Sequence, residues 1–228
     1  MSTHLTKVLC AALIVLAAAC KSEPADPFDK AAIERDLEER PLKALYEEFE
    51  KISWTPPLHG TLSDAQIQSY IEVTRLSDRI IEVTSGQLDE KIEKASRDDD
   101  RYSRMATAFS AIGNARNAAT AQIRAALTLH VNPHEYNWVS QQIARAAGEA
   151  VRKRNYLAHV DAAQRALDAE SNPYLRERRE SDLATARLTL LHWADSLGDA
   201  ERANAETVLK HDLALRPYVR GLQERTSW

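Results

Sequence analysis

From Phe28 onward, apolar residues recur at spacings of three and four, and no stretch shows the period-two alternation of a half-buried strand. That periodicity restricts the chain to helices packed through apolar stripes. Six glycines and eight prolines in 228 residues are too few for a β-sandwich turning every dozen residues. Ala, Leu, Glu and Arg dominate, and these residues lose least on entering a helix. The expected fold is therefore all-α, a bundle-like domain of about five to seven helices containing one long antiparallel helical hairpin.

Local chemistry marks the helix starts. Phe28 to Glu39 and Leu42 to Ile52 read as one helix interrupted at Pro41, or as two short ones. The stretch "SWTPPLHGT", 53–61, reads as a loop on Pro56-Pro57 and Gly60. Ser63 and Gln66 form a capping box that opens a helix running to about Ala95, with Val73, Leu76, Ile80 and Val83 on one face and a weak point at Gly86. Asp98-Asp99-Asp100 suits the positive end of the next helix, which carries Met105, Phe109, Ile112, Ala119 and Ile123 and folds back as the second arm of the hairpin. Asn132-Pro133 and Asn172-Pro173 each place a capping side chain before a proline at the first helical position. The first start leads to a buried face of Tyr136, Val139, Ile143 and Ala147, the second to Leu183, Leu190, Ala194 and Leu197. Gly198 ends that helix, and Asp199 opens a last segment broken at Pro217.

The first twenty residues obey different rules. Lys7 is followed by twelve uncharged residues, Val8 to Ala19, then Cys20, the layout of an export signal. Twelve residues are too short to cross a bilayer, which takes about 20. Ala17-Ala18-Ala19 fits an ordinary secretory cut, and the cysteine directly after it resembles the lipobox of bacterial lipoproteins. One position departs from that family, which favours Leu where this chain has Ala17, with Leu16 one step back. The resemblance implies that residues 1–19 are a signal peptide, that Cys20 is the lipidated residue, and that 20–27 is a tether to a helical domain of 28–228. Acyl chains on Cys20 would then make the membrane a partner. Lys21, in place of the Asp that retains enteric members at the inner membrane, implies the outer membrane, facing the periplasm.

Composition narrows the function. Removing residues 1–19 leaves 29 Lys and Arg against 34 Asp and Glu, so no basic surplus exists to neutralise phosphates, and no nucleic-acid partner is expected. Cys10 falls in the apolar run, so the processed chain would keep Cys20 alone, without a disulfide framework, thiolate zinc site or cysteine nucleophile. His130 and His134, with Glu135, are separated by Asn132-Pro133 and so belong to a helix end and the next start; Trp138 breaks the HExxH pattern. His159 with Asp161, and His211 with Asp212, point to different faces, and neither pair has a third ligand in view. The Asp98–Asp100 run lacks the alternating ligands of a calcium loop. No GxSxG or phosphate loop occurs. Arg152 to Arg154 and Arg176, Arg178 and Arg179 read as solvated faces; Trp54, Trp138 and Trp193 as core or interface anchors, with Trp54, in the proline loop, the one candidate for an exposed contact.

No catalytic, cofactor or metal residue is therefore assigned, and the leading expectation is a non-catalytic lipid-anchored protein that binds or scaffolds another envelope component. Leu62-Ser63-Asp64-Ala65-Gln66 also resembles the LTxxQ motif of periplasmic stress chaperones and metal-responsive helical proteins, which gives a second reading. A third is an enzyme whose acids and histidines converge only in the fold.

Overall fold

The computed structural model describes residues 26–97, 113, 116, 117 and 120–223. Cys20, the Asp98–Asp100 helix start, Met105, Phe109, Ile112 and Ala119 lie outside them. Among the described residues there is no strand, and the fold is all-α. In chain order the helices are α1 (Lys30–Glu39), α2 (Leu42–Glu50), α3 (Asp64–Arg97), α4 (Ala121–Thr128), α5 (Pro133–Asp168), α6 (Pro173–Asp195), α7 (Asp199–Lys210), and two single turns, α8 (Asp212–Leu215) and α9 (Arg220–Gln223).

Their ends follow from local chemistry. Proline lacks an amide donor and excludes helical backbone from the residue before it, so Arg40 leaves the α region (φ −115°, ψ 80°) and α1 and α2 form separately. At the start of α3 the Ser63 and Gln66 side chains exchange bonds with each other's backbone amides, at 3.2 and 3.0 Å. Asn132 Oδ1 accepts from the amides of His134 and Glu135, and Asn172 Oδ1 accepts from that of Tyr174. Helix α6 stops at Asp195; Gly198, expected to end it, instead precedes α7, where Glu201 accepts from the Gly198 amide. Gly86 does not interrupt α3. Helix α4 closes with His130 in the left-handed region (φ 55°), while the His130 and Val131 amides donate back to Leu127 and Ala126.

One connected core runs from Ile33 of α1 through Ile67, Val73, Leu76 and Ile80 of α3, Ala125 of α4, Val139, Ile143 and Ala147 of α5, to Leu222 of α9. Helix α4 packs on α3, and α5 is the hub, touching α3, α4, α6, α7 and α9. The fully buried residues of α5 end at Ala150; Val151 still packs partly buried on the core, and the rest of the helix contributes no core residue. On α6 the buried positions are Leu183, Ala186 and Trp193; Leu190 and Ala194 are only half-buried, as is Leu197 past the helix's end. The expected face was rotated because α6 packs on one long neighbour instead of entering the main core.

Two charge clusters brace these contacts. Arg124, 1% exposed on α4, donates to the Asp36 carboxylate (2.7 Å) and to the carbonyls of Asp36 (3.0 Å) and Arg40 (2.9 Å). It thus clamps the carbonyl end of α1, where a cation is favoured. Asp212, buried at the start of α8, is held by Arg154 of α5 (2.9 Å) and by Arg216.

Candidate functional site

The 53–61 loop crosses the end of the bundle at which α3 and α5 both begin. Two side-chain bonds to its backbone, and a third to Leu62 just beyond it, hold it there. Asn132 Nδ2 donates to the Ser53 carbonyl (3.1 Å). At the far end, buried Asn204 of α7 donates to the Gly60 carbonyl (2.9 Å) and accepts from the Leu62 amide (2.7 Å). Gly60 takes a positive φ of 62°, which glycine adopts without steric cost. Trp54 is half-buried against Trp138, ring centroids 5.5 Å apart, and so packs as the anchor its residue type suggested. Leu58 is fully exposed at the loop's crest, 100% of its surface open.

Under the loop lies a cleft of about 430 Å³ between α3 and α5, with Pro57 and Thr61 at its rim. Gln66 joins the two helix starts, its Nε2 donating to Glu135 Oε1 at 2.8 Å while its Oε1 serves the Ser63 cap. Deeper in, the Tyr70 and Tyr136 rings stack at 5.5 Å and 15°. The Thr74 hydroxyl donates to the Tyr70 carbonyl (2.7 Å), so its oxygen is left to accept from the Tyr136 hydroxyl (3.1 Å). Burial pushes both tyrosines above their ordinary pKa, and they stay neutral donors. Tyr70 also borders a second cavity of about 470 Å³, which continues along α5 past Ser140, Ala144 and Gly148 to Tyr218 and Arg220.

This arrangement supplies apolar contact and fixed hydrogen bonds. Its single carboxylate, Glu135, is bonded to an amide and has no histidine or hydroxyl nucleophile as partner. The histidines of the sequence are dispersed. His134 packs its ring on Phe49 (4.6 Å), His130 is exposed at the end of α4, and His211 Nε2 sits 2.8 Å from Asp64. Among the described residues no group of three or more His, Cys, Asp or Glu side chains could hold a metal ion. Nor is any described helix long and apolar enough to cross a membrane.

The basic clusters divide. Arg176 and Arg179 pair along their own helix with Glu180 and Asp182, as a solvated face does. In the other cluster, Arg152 pairs with Glu149, but Lys153 and Arg154 reach Glu206 and Asp212 and tie α7 and α8 to α5. The reading as a solvated face holds for Arg152 and is corrected for Lys153 and Arg154, whose partners lie more than fifty residues away. Sequence reasoning missed Asn204, Tyr70 and the role of Glu135; the Ser63–Gln66 capping box, the Asn132-Pro133 start and the 53–61 loop were the signals that pointed to this end of the bundle. No family model, curated protein or solved structure matches the chain.

Proposed function

We propose that this chain is a lipid-anchored protein of a bacterial envelope, attached through acyl groups on Cys20, whose helical domain holds another envelope protein without catalysis. The anchor rests on the sequence: a short apolar run, small residues, cysteine, then a charged tether containing Pro24 and Pro27. Acyl chains contribute about 0.8 kcal/mol per buried CH₂, and one chain holds only marginally, so the several chains that the lipoprotein resemblance implies give lasting attachment. Lys21 favours the outer membrane, facing the periplasm.

The holding role rests on one observation above all. The 53–61 loop is tied down at both ends by Asn132 and Asn204, yet it presents fully exposed Leu58 beside the cleft. A fixed loop displaying an apolar side chain is preorganised for contact, because little ordering entropy remains to be lost on binding.

Intact mass and acyl labelling of the native chain beside Cys20→Ser test the anchor. Label in the wild type and none in the variant is expected; an unacylated native chain starting at Met1 would refute it. Cross-linking in intact cells, wild type beside Leu58→Asp, tests the holding role. It fails when no cross-linked protein rises above background, or when Leu58→Asp leaves the adducts unchanged.

A further inference from the structure

We propose that the cleft under the 53–61 loop receives a lysine side chain of the partner protein, its ammonium bonded to Glu135. The inference rests on the holding role argued above and names the chemistry that enters beside Leu58. Glu135 is the one charged residue on the cleft's lining. Among the described residues, no Lys, Arg or His forms an ion pair with it. Its Oε1 accepts from Gln66 Nε2, which supplies a bond and no charge. A half-buried carboxylate without a counter-ion attracts a cation more strongly than one surrounded by water.

Capping decides the sign of the guest. Helix α5 begins with Pro133, which has no amide hydrogen, and Asn132 Oδ1 serves the amides of His134 and Glu135. The Tyr136 amide donates to the Asn132 carbonyl. Every first-turn donor of α5 is thus taken, so an anion finds no free amide there and meets the carboxylate instead. The positive end of α5 favours the ionised form of Glu135. That end carries roughly half a positive charge, against a full negative charge on Glu135 within bonding distance of the guest, so attraction of a cation wins.

Bond geometry selects lysine over arginine. A guanidinium fork is best met by a carboxylate with both oxygens free. Gln66 already occupies Oε1, while Oε2 accepts from no described residue. An ammonium is a point donor and needs only that second oxygen. The rest of the lining suits the stem: Val131, Val139 and the two tyrosine rings offer apolar surface to its methylenes, and Thr61 and Ser69 add hydroxyl oxygens. Leu58, exposed on the pinned loop, meets the apolar surface around that lysine on the partner.

Carbodiimide treatment of washed envelopes tests the contact, because it joins a carboxylate to a touching amine without a spacer. Peptide mapping of the wild-type adduct should show Glu135 bonded to a lysine of another protein. A partner adduct formed through other acids while Glu135 stays free overturns the proposal, as does Glu135 coupled only to a lysine of this chain. The second arm needs no carboxylate: a photoreactive residue replaces exposed His59 on the loop, and adducts are collected in intact cells. Glu135→Gln keeps an oxygen for Gln66 and loses only the charge. Its circular dichroism should match wild type while the photo-adduct falls about tenfold or more. An undiminished photo-adduct in Glu135→Gln refutes the lysine contact and leaves the holding role standing. A wild type without adducts in either arm refutes both.

Discussion

Asp36→Asn should destabilise this protein more than Arg124→Met, although Arg124 is the more deeply buried partner. In wild type the Arg124 guanidinium, 1% exposed, is balanced by Asp36, whose side chain is 23% exposed and also bonds Arg40 Nε at 2.6 Å. Replacing Arg124 by Met keeps most of the stem's packing and leaves Asp36 with Arg40 and some water. The Asp36 carbonyl still accepts from the Arg40 amide at 3.0 Å, while the Arg40 carbonyl loses the Arg124 donor. The expected cost is about 1–2 kcal/mol, that of a lost charge-assisted bond with partial compensation. Replacing Asp36 by Asn instead strands a buried cation beside a second guanidinium, Arg40. Breaking a buried pair from that side costs about 3–5 kcal/mol. The double variant should then fall near Arg124→Met alone, a coupling as large as the Asp36→Asn cost itself, about 3–5 kcal/mol. Urea unfolding followed by far-ultraviolet circular dichroism, with unchanged m-values, measures all three. Additive costs, or an Asp36→Asn variant no less stable than Arg124→Met, would refute the reasoning.

Four further outcomes follow from the same geometry. Asn204→Ala removes the acceptor of the buried Leu62 amide, a loss of about 1–3 kcal/mol, and should accelerate hydrogen exchange at Leu62; unchanged exchange there would contradict the anchoring of the loop. Gly148→Ala should raise stability by about 0.5–1 kcal/mol, read from the urea midpoint, since its Cβ meets no neighbour. Tyr70 and Tyr136 have pKa values raised by burial, so their contribution is complete below the ordinary tyrosine value near 10 and is lost as pH climbs through the raised values. An absorbance titration should show tyrosine ionisation above the ordinary value, and Tyr70→Phe and Tyr136→Phe should each remove one such group. Asp64 is held below the usual carboxylate range by its bonds to Lys210 and His211. Its contribution is present above that range and lost as pH falls through the lowered value, so Asp64→Asn should lower the urea midpoint at pH 7 and have no effect in strong acid.

The chain's local chemistry determined that it is helical and where several helices begin. Ser63 with Gln66, Asn132 with Pro133, and Asn172 with Pro173 satisfy backbone groups within four residues, so their meaning is complete in the linear order. The face Tyr136, Val139, Ile143 and Ala147 was legible for the same reason, because a helix's own period puts those residues on one side. His130 carried no such mark: a helix end usually recruits glycine, and here a histidine occupies the left-handed position.

Tertiary structure alone decided which polar residues enter the interior. Arg124 reads as one more arginine on an alanine-rich helix until α4 brings it to the carbonyl end of α1, 84 to 88 residues away. Asn204 looks like an ordinary helix residue until α7 sets it against the 53–61 loop, 142 to 144 residues distant. Lys153 and Arg154 pass for a solvated cluster until α7 and α8 supply their acids. In each case the stabilising term is a bond formed after chain closure. Hydrophobic period and capping residues report what a segment does with itself, whereas a buried charge is tolerated only for the partner it meets, and that partner is fixed by how the helices pack.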